Sequence, residues 1–327
     1  MSSEDHPLII INNVAAKARR AWPVVRGRLE ESGIEFDFHE TTGPKDATTQ
    51  TRAALKAGCR TIAVVGGDGT LGEASEGFFE FDNKVEKLPS PLSPEAALAI
   101  LPSGTGDDFA RGLMGHRAPL AKWIETLTSY CKQPDTRSTR LVDVLYGTCD
   151  NYTQPFICLN ASTMGIGGET AARVAAQGSL MRSLSGEARF MVAAMAALAA
   201  WRERRVRVSV GEITVADCSM NLVAVANGLY AGGGMMLSPR AQIDDGKLDV
   251  VTASGLTRAA VIRELPRIHA GGHVANPNVK ITQGRQVRIE TFSAEDALLI
   301  EADGNVRGRT PVEFRILPAS LRFVAVE

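Results

Sequence analysis

The chain has 327 residues, of which 44% are hydrophobic and 22% are charged, and its formal net charge is -1. Such a chain is long enough for two globular domains and has no overall field that would attract nucleic acid, so we expect no nucleic-acid partner. Its longest apolar helical stretch, Phe190 to Trp201, is shorter than the roughly 20 residues that cross a bilayer. We therefore expect a cytoplasmic protein.

The first third of the chain alternates strand and helix patterns. Apolar runs such as PLIIINN, from Pro7, and TIAVVGG, from Thr61, predict buried strands, and a helical pattern follows each of them. Repeated strand–helix units are typical of a parallel, doubly wound, Rossmann-like sheet.

The pattern changes after about Arg140, where short β-rich runs follow one another between Gly, Asn and Asp turns. This spacing predicts an antiparallel β-sandwich, interrupted by helices near Glu169–Arg205 and Leu256–His269. The predicted fold class is therefore α/β plus β. The expected domains are an α/β nucleotide-binding domain over residues 1–139 and a β-rich acceptor domain over residues 140–315, with residues 316–327 packing back on the first.

The stretch VVGGDGTLGE, from Val64 to Glu73, ends an apolar strand on the segment GGDG, which holds three glycines and one carboxylate. Bare glycines let a ligand approach the backbone, and the helix expected after them directs free N–H groups into the turn. This arrangement suits a phosphate, provided that a divalent cation or a hydroxyl donor separates the phosphate from Asp68. The same residues are also typical of a plain strand–helix turn in which Asp68 caps the helix.

A second turn of the same type follows in LPSGTGDDFAR, from Leu101 to Arg111, which again ends an apolar strand on glycines and then offers Thr105, Asp107 and Asp108. Because the carboxyl ends of parallel strands form one crevice, we expect the two turns to face each other. Neither the P-loop lysine pattern nor the GxGxxG spacing is present.

These two turns resemble the GGDGT-x-NE and LP-x-GT-x-NDFA motifs of the diacylglycerol kinase catalytic-domain family. That family includes the YegS-like and DgkB-like bacterial lipid kinases and is related to the sphingosine and ceramide kinases. Further family-like motifs follow in order along nearly the whole chain: NASTMGIGGE from Asn160, VANGLYAGGGMMLSPRAQIDDGKLDV from Val225, and EADGN from Glu301.

The resemblance implies a fold of the NAD kinase/diacylglycerol kinase type and an ATP-dependent lipid kinase that uses Mg2+. Such an enzyme transfers the γ-phosphoryl group to a lipid hydroxyl by positioning and charge stabilisation. It would meet its lipid substrate peripherally, at the inner membrane surface. The nucleotide-binding residues that the resemblance implies are Thr41, Gly66, Gly67, Asp68, Gly69, Thr70, Leu71, Gly72, Glu73, Gly104 and Thr105.

The chain departs from the family motifs in several places. Gly72 and Asp107 replace asparagines, and the loop INNVAAKARR, from Ile11, stands where the family prefers an NP-x-x-G phosphate loop. Asn305 replaces a glutamate proposed to accept the proton from the acceptor hydroxyl in bacterial relatives. An amide does not accept a proton at neutral pH. Another carboxylate must then serve. The candidate catalytic residues are Asp303, Asp68, Asp108 and Glu169.

A further implied site is a metal-binding turn in AQIDDGKLD, where Asp245 would supply a carboxylate and Gln242 and Lys247 their backbone oxygens. An Asp-Asp-Gly sequence is also a common plain turn between strands, so both interpretations stand.

Three alternatives remain open from the residues. The acceptor lipid could be diacylglycerol-like, or it could be a sphingoid base or ceramide. The chain could instead be an NAD kinase-like enzyme with a soluble substrate, or a nucleotide-binding relative without enzymatic activity. A homodimer formed through sheet edges is compatible with the sequence.

Overall fold

The computed structural model describes residues 6–81, 88–150, 154–178, 181 and 186–325. The chain divides into two compact units, which are Met1–Val144 with Leu317–Glu327 and Leu145–Ile316. The sequence passes from one unit to the other twice, and each time the boundary falls within a strand. These strands are β5 (Thr139–Cys149) and β15 (Val312–Val324).

The first unit is built on a parallel sheet with the strand order β15-β4-β3-β1-β2. Its central strands are apolar runs whose residues are almost completely buried, because helices cover them. Helices α1 and α5 contact each other, and α2 contacts α3. The elements are β1 (Leu8–Ile11), α1 (Ala16–Glu31), β2 (Asp37–Glu40), α2 (Asp46–Lys56), β3 (Thr61–Gly66), α3 (Asp68–Gly77), β4 (Ala97–Pro102), α4 (Asp108–Met114) and α5 (Leu120–Lys132).

The second unit consists mainly of antiparallel strands. Its longest strand, β9, pairs with β8 along its first half and with β7 and β10 along its second half. A large apolar cluster fills the core, and within it Phe156 meets Phe314 edge to face at 5.9 Å. The elements are β6 (Phe156–Cys158), β7 (Ala161–Gly165), α6 (Ile166–Ala175), α7 (Gly186–Ala200), β8 (Arg204–Val210), β9 (Ile213–Ala226), β10 (Leu248–Ser254), α8 (Arg258–Ile268), β11 (Val279–Gly284), β12 (Gln286–Thr291), β13 (Leu299–Ala302) and β14 (Asn305–Arg309).

The predicted fold class, a doubly wound α/β sheet followed by an antiparallel β-rich part, is confirmed. One helix prediction was wrong, however. The segment expected as a single helix near Glu169–Arg205 contains two helices, α6 and α7, and its last residues start strand β8. Gly178 lies between the two helices, and Gly186 is the first residue of α7. Because glycine is a poor helix former, the apolar pattern alone overestimated the length of the helix.

No helix among the described residues combines the length and the apolar character that a membrane crossing requires.

Helix packing in the first unit depends on a missing side chain at Gly77. A Cβ atom placed there would lie 2.5 Å from Thr51 Cβ and 2.7 Å from the Thr48 carbonyl oxygen. The last turn of α3 therefore approaches α2 closely only because residue 77 is glycine.

We expect the substitution Gly77→Ala to lower the free energy of unfolding by about 1–3 kcal/mol, because the added methyl group overpacks the contact between α2 and α3. Gly27→Ala in α1 is the matched control, since nothing lies within 4 Å of its Cβ position. That control should raise stability by up to about 1 kcal/mol. Urea denaturation of both variants checks the pair, and equal effects would contradict the packing argument.

Candidate active site

The first glycine turn connects β3 to α3 at the carboxyl edge of the parallel sheet. Gly67 precedes the helix with an extended backbone, and its carbonyl oxygen accepts hydrogen bonds from the amides of Thr70 and Leu71. The Thr70 hydroxyl in turn accepts a hydrogen bond of 2.8 Å from the side chain of Asn12, which follows β1. The turn is therefore attached to the neighbouring strand as well as to its own helix.

The second turn, between β4 and α4, packs directly against the first. A Cβ atom on Gly104 would lie 2.6 Å from Gly67 Cα, and one on Gly67 would lie 2.9 Å from Gly104 Cα. Real Cβ atoms do not approach backbone atoms so closely, so this contact requires glycine at both position 67 and position 104. The amide of Ser103 also donates to the Gly66 carbonyl oxygen at 2.9 Å. The two turns face each other, as the sequence predicted.

The carboxylate of Asp68 joins the two turns. Its Oδ2 accepts a hydrogen bond from the amide of Asp108, and its Oδ1 accepts one from the amide of Phe109, both at 3.0 Å. Burial and the negative charge of Asp108 raise the pKa of Asp68 to about 7, although these two amide bonds oppose the shift. Gly67 is the N-cap residue of α3, and the carboxylate of Asp68 pairs with the start of α4.

Asp107, which stands where the family motif has asparagine, is held between a backbone amide and a cation. Its Oδ1 accepts the amide hydrogen of Gly104 at 2.7 Å. Its Oδ2 lies 3.2 Å from Nη2 of Arg117. Because Asp107 is only 6% exposed, this pairing compensates the additional negative charge beside the turn.

The remaining nucleotide candidates of the first unit lie along the same edge. Thr41 is buried just after β2, and its amide donates to the Ile11 carbonyl oxygen at 2.8 Å. Thr105 is half-buried in the second turn. The fold therefore gathers at the carboxyl ends of β2, β3 and β4 the predicted residues Thr41, Gly66, Gly67, Asp68, Gly69, Thr70, Gly104, Thr105 and Asp108. The predicted residues Leu71, Gly72 and Glu73 lie within α3, where Leu71 and Gly72 are buried.

In the second unit, Asp303 is committed to the backbone. Its carboxylate accepts hydrogen bonds from the amides of Leu159 at 2.6 Å, Asn160 at 3.0 Å and Ala161 at 3.3 Å. Asp303 is 5% exposed and has a left-handed backbone with φ of 47°. Burial raises its pKa, and the amide bonds counteract that rise. This geometry favours a structural role, in which Asp303 holds the turn between β6 and β7.

Glu301, which the sequence analysis did not select, lies two residues before Asp303 on β13. Its Oε2 accepts a hydrogen bond of 2.5 Å from the hydroxyl of Thr163, and its Oε1 accepts one of 2.6 Å from the amide of Gly304. Burial raises the pKa of Glu301 to about 7. A signal was available in the sequence, because Glu301 is a carboxylate within an otherwise apolar strand that alternates inward and outward positions.

Glu169, the last catalytic candidate, lies in the first turn of α6. One of its carboxylate oxygens lies 3.5 Å from Nη2 of Arg204, whose guanidinium also stacks on the ring of Trp201. Glu169 is therefore paired with a cation of the same unit.

The predicted metal turn of the second unit lies on its surface. Oδ1 of Asp245 accepts the amide hydrogen of Lys247 at 2.9 Å, and both Gln242 and Lys247 are exposed. One carboxylate and two backbone oxygens form an oxygen-only donor set that suits Mg2+, which completes its coordination with water. Among the described residues, no group of three or more His, Cys, Asp or Glu side chains could hold a metal ion, so a site here would depend on carbonyl oxygens.

Comparisons with known proteins match both parts of the chain. A family model described as the diacylglycerol kinase catalytic domain matches residues 6–144. A second model, described as the YegS C-terminal NAD kinase beta sandwich-like domain, matches residues 163–325.

Individual relatives agree with these models. A protein named "Probable lipid kinase YegS-like" from Chromohalobacter salexigens is 30% identical over 98% of this chain and 93% of its own length. A diacylglycerol kinase from Bacillus subtilis is 24% identical over 88% of this chain and 84% of its own length. The crystal structure of a diacylglycerol kinase from Bacillus anthracis covers 100% of this chain and 98% of its own with a TM-score of 0.67, at 19% identity. That structural likeness shows the shared fold.

The structural role of Asp303 is testable by the substitution Asp303→Asn. The amide group of asparagine would present a donor to backbone amides that are themselves donors, so we expect the free energy of unfolding to fall by about 1–3 kcal/mol. Glu212→Gln, in the exposed turn between β8 and β9, is the control and should change stability by less than about 0.5 kcal/mol. Chemical denaturation measures both variants. Unchanged stability of Asp303→Asn would show that the three amide bonds contribute little.

Proposed function

Because the chain belongs to the family of YegS-like lipid kinases, we propose that it is an ATP-dependent kinase that transfers a phosphoryl group to a hydroxyl group of a membrane lipid. The two family models and the relatives confirm the resemblance to the diacylglycerol kinase catalytic-domain family. The observation that carries the proposal is the pair of facing glycine turns joined by Asp68, which presents bare backbone at the carboxyl edge of a parallel sheet. The NAD kinase-like and non-enzymatic alternatives are not favoured.

The first unit supplies the nucleotide site in this proposal. The exposed backbone of the turns at Gly67 and Gly104 allows phosphate groups to approach closely. Thr41 and Thr105 would contribute from the neighbouring strand ends. Asp68 holds the second turn in register with the first, so the shape of the site exists before a nucleotide binds.

Mg2+ is the cation that the reaction requires in this proposal, since it neutralises charge on the transferred phosphoryl group. The carboxylates near the turns and the Asp245 turn both offer the oxygen ligands that Mg2+ prefers. For the Asp245 turn, we propose Gln242, Asp245 and Lys247 as the protein ligands.

We propose Glu301 as the group that accepts the proton of the lipid hydroxyl, in place of Asp303. Asp303 uses its carboxylate for three backbone amides, and Glu169 is paired with Arg204. Glu301 remains partly exposed and its pKa is raised to about 7, which suits a base that works at neutral pH. In this proposal Asp68 and Asp108 do not accept the proton and belong to the glycine turns that bind the nucleotide.

The acceptor lipid is presented at a membrane surface, so we propose that the protein is cytoplasmic and binds peripherally at the inner membrane surface. Helix α7 supports this proposal, because it exposes three large apolar side chains close together in sequence. The exposed fractions are 49% for Met191, 49% for Val192 and 40% for Met195. Exposed apolar side chains of this kind favour contact with acyl chains.

Transfer of labelled phosphate from ATP to a panel of lipids tests the proposed function. We expect product with a diacylglycerol-type lipid, or with sphingosine or ceramide, only when Mg2+ is added, and none with NAD as the acceptor. Lipids in vesicles and short-chain soluble analogues should be compared, since peripheral binding predicts better use of the vesicle form. Absence of transfer to every lipid, by a protein that is folded and binds ATP, would overturn the proposal.

The role of Glu301 is testable by the pH dependence of the lipid-kinase reaction. A base must be ionised, so we expect kcat/KM of the unsubstituted enzyme to rise with pH, to reach half its maximum at a pH of about 7 and to level off above that. Glu301→Gln should lower kcat by roughly 100- to 10,000-fold and remove that rising limb.

Glu290→Gln is the matched control, because Glu290 is a strand residue of the same unit that pairs with Arg288. It should keep both the rate and the pH profile. If Glu301→Gln is slow but retains the rising limb, another group accepts the proton.

A further inference from the structure

Thr163 lies directly across from Glu301 in the antiparallel pair of β7 and β13. Directly opposed residues of such a pair share one face of the sheet, so their side chains meet. The hydroxyl of Thr163 donates a hydrogen bond of 2.5 Å to Oε2 of Glu301. A bond of this length from a hydroxyl to a carboxylate is of the strong, charge-assisted kind. The Glu301 carboxylate is therefore attached to the neighbouring strand.

The space around the Thr163 hydroxyl depends on a glycine of α6. A Cβ atom placed on Gly167 would lie 2.5 Å from Thr163 Oγ1 and 2.8 Å from Thr163 Cβ. Helix α6 can therefore approach β7 at this point only because residue 167 has no side chain. This close contact and the restricted χ1 rotation of a β-branched residue favour a single direction for the hydroxyl.

The second carboxylate oxygen of Glu301 is held by the backbone. Oε1 accepts a hydrogen bond of 2.6 Å from the amide of Gly304. An ionised carboxylate has about four lone-pair positions, so the bonds from Thr163 and Gly304 leave positions open for an incoming proton. The two donors thus fix the orientation of the carboxylate and leave it able to react.

The Thr163 hydroxyl also favours the ionised form of Glu301. Burial raises the pKa of Glu301 to about 7, and the negative charge of Asp303 adds to the rise. The hydrogen bond from the Thr163 hydroxyl is the largest influence in the opposite direction, and the bond from the Gly304 amide follows it. Both donors stabilise the charged carboxylate, which is the form that accepts a proton.

The other titratable and charged groups near Glu301 lie on the elements around β13. Burial raises the pKa of Cys158, on β6, well above its ordinary value, so this thiol is neutral. Arg307 lies on β14, which pairs with β13. Glu169 lies on α6, which contacts β13, and is paired with Arg204. A threonine hydroxyl does not ionise near neutrality, so it remains a donor to Glu301 while the pH changes.

We propose that Thr163 is the positioning residue for Glu301, whose carboxylate it holds in one orientation and keeps ready to accept the proton of the lipid hydroxyl. This inference rests on the proposed function, in which Glu301 is the base, and names the residue that controls it. In the transfer, the lipid oxygen forms a bond to the γ-phosphorus of ATP and the bond to the bridging oxygen breaks. ADP leaves with the electron pair, and the hydroxyl proton passes to Glu301. Thr163 keeps its own proton throughout.

Carbon-13 NMR of the protein labelled at its glutamate carboxyl carbons tests the proposal without any substrate. The signal of Glu301 is identified by its disappearance in Glu301→Gln, and its titration midpoint is expected at a pH of about 7. Thr163→Val keeps the shape of the side chain and removes the hydroxyl, so it should raise this midpoint by roughly one pH unit or more. Thr163→Ser retains the hydroxyl and should keep the midpoint close to that of the unsubstituted protein.

The lipid-kinase reaction gives a second readout. In Thr163→Val, the rising limb of kcat/KM should move to higher pH together with the NMR midpoint. Above the new midpoint Glu301 is ionised again, but its orientation is lost, so kcat should stay roughly tenfold or more below that of the unsubstituted enzyme while KM changes little. Thr163→Ser should recover most of kcat. If the valine variant does not fold, Thr163→Ala takes its place.

Thr214→Val is the matched control, because Thr214 is an exposed strand threonine of the same unit whose hydroxyl oxygen lies 3.4 Å from that of Ser209. It should change neither the midpoint nor the pH profile, and circular dichroism should show that every variant is folded. An unmoved midpoint in Thr163→Val would overturn the inference, even if Glu301→Gln removes the rising limb.

A midpoint that moves while the rising limb stays in place would also contradict the inference, because the proton would then pass to a group that Thr163 does not hold. Failure of the proposed function gives a different result, which is no transfer to any lipid by the unsubstituted protein. The NMR midpoints would still decide whether Thr163 controls the ionisation of Glu301, since that titration contains neither ATP nor lipid.

Discussion

The contact between the two glycine turns is the constraint on which the first unit depends. Gly67 and Gly104 approach so closely that neither tolerates a side chain. The Asp68 carboxylate completes the contact by accepting the first amide hydrogens of α4. A carboxylate that accepts backbone hydrogens on both oxygens fixes the distance between two loops, and it does so before any ligand binds. The exposed backbone of the site is thereby preorganised.

The second unit uses the same device at Asp303. That carboxylate accepts three amide hydrogens from the turn between β6 and β7, and it thereby holds this turn in place. Glu301, on β13, accepts hydrogen bonds from one hydroxyl and one backbone amide, and burial raises its pKa to about 7. Two acids only two residues apart thus have different surroundings, because their hydrogen-bond partners differ.

At one position where the chain differs from the family motif, the residue present makes an ion pair. Asp107, which replaces an asparagine, has gained the cation Arg117. The same arginine supports the second turn through the Thr105 carbonyl oxygen and lines a cavity of about 430 Å³ beside it. One substitution is therefore connected with both the second glycine turn and the adjacent cavity. The charge balance of this region is a property of the group of residues, and no single position explains it.

The sequence by itself determined the alternation of strands and helices, the change to antiparallel strands, the two glycine turns and the family. These features are local, since hydrophobic period and glycine content act over a few residues. It did not determine where α6 ends, because an apolar pattern continued past the glycines that interrupt it. Nor did it assign the carboxylates. Asp68 finds its partner 40 residues away, and Asp303 finds its partners more than 140 residues away. Only the tertiary structure brings these groups together, and a carboxylate becomes a brace, a base or a counter-ion according to the donors that surround it.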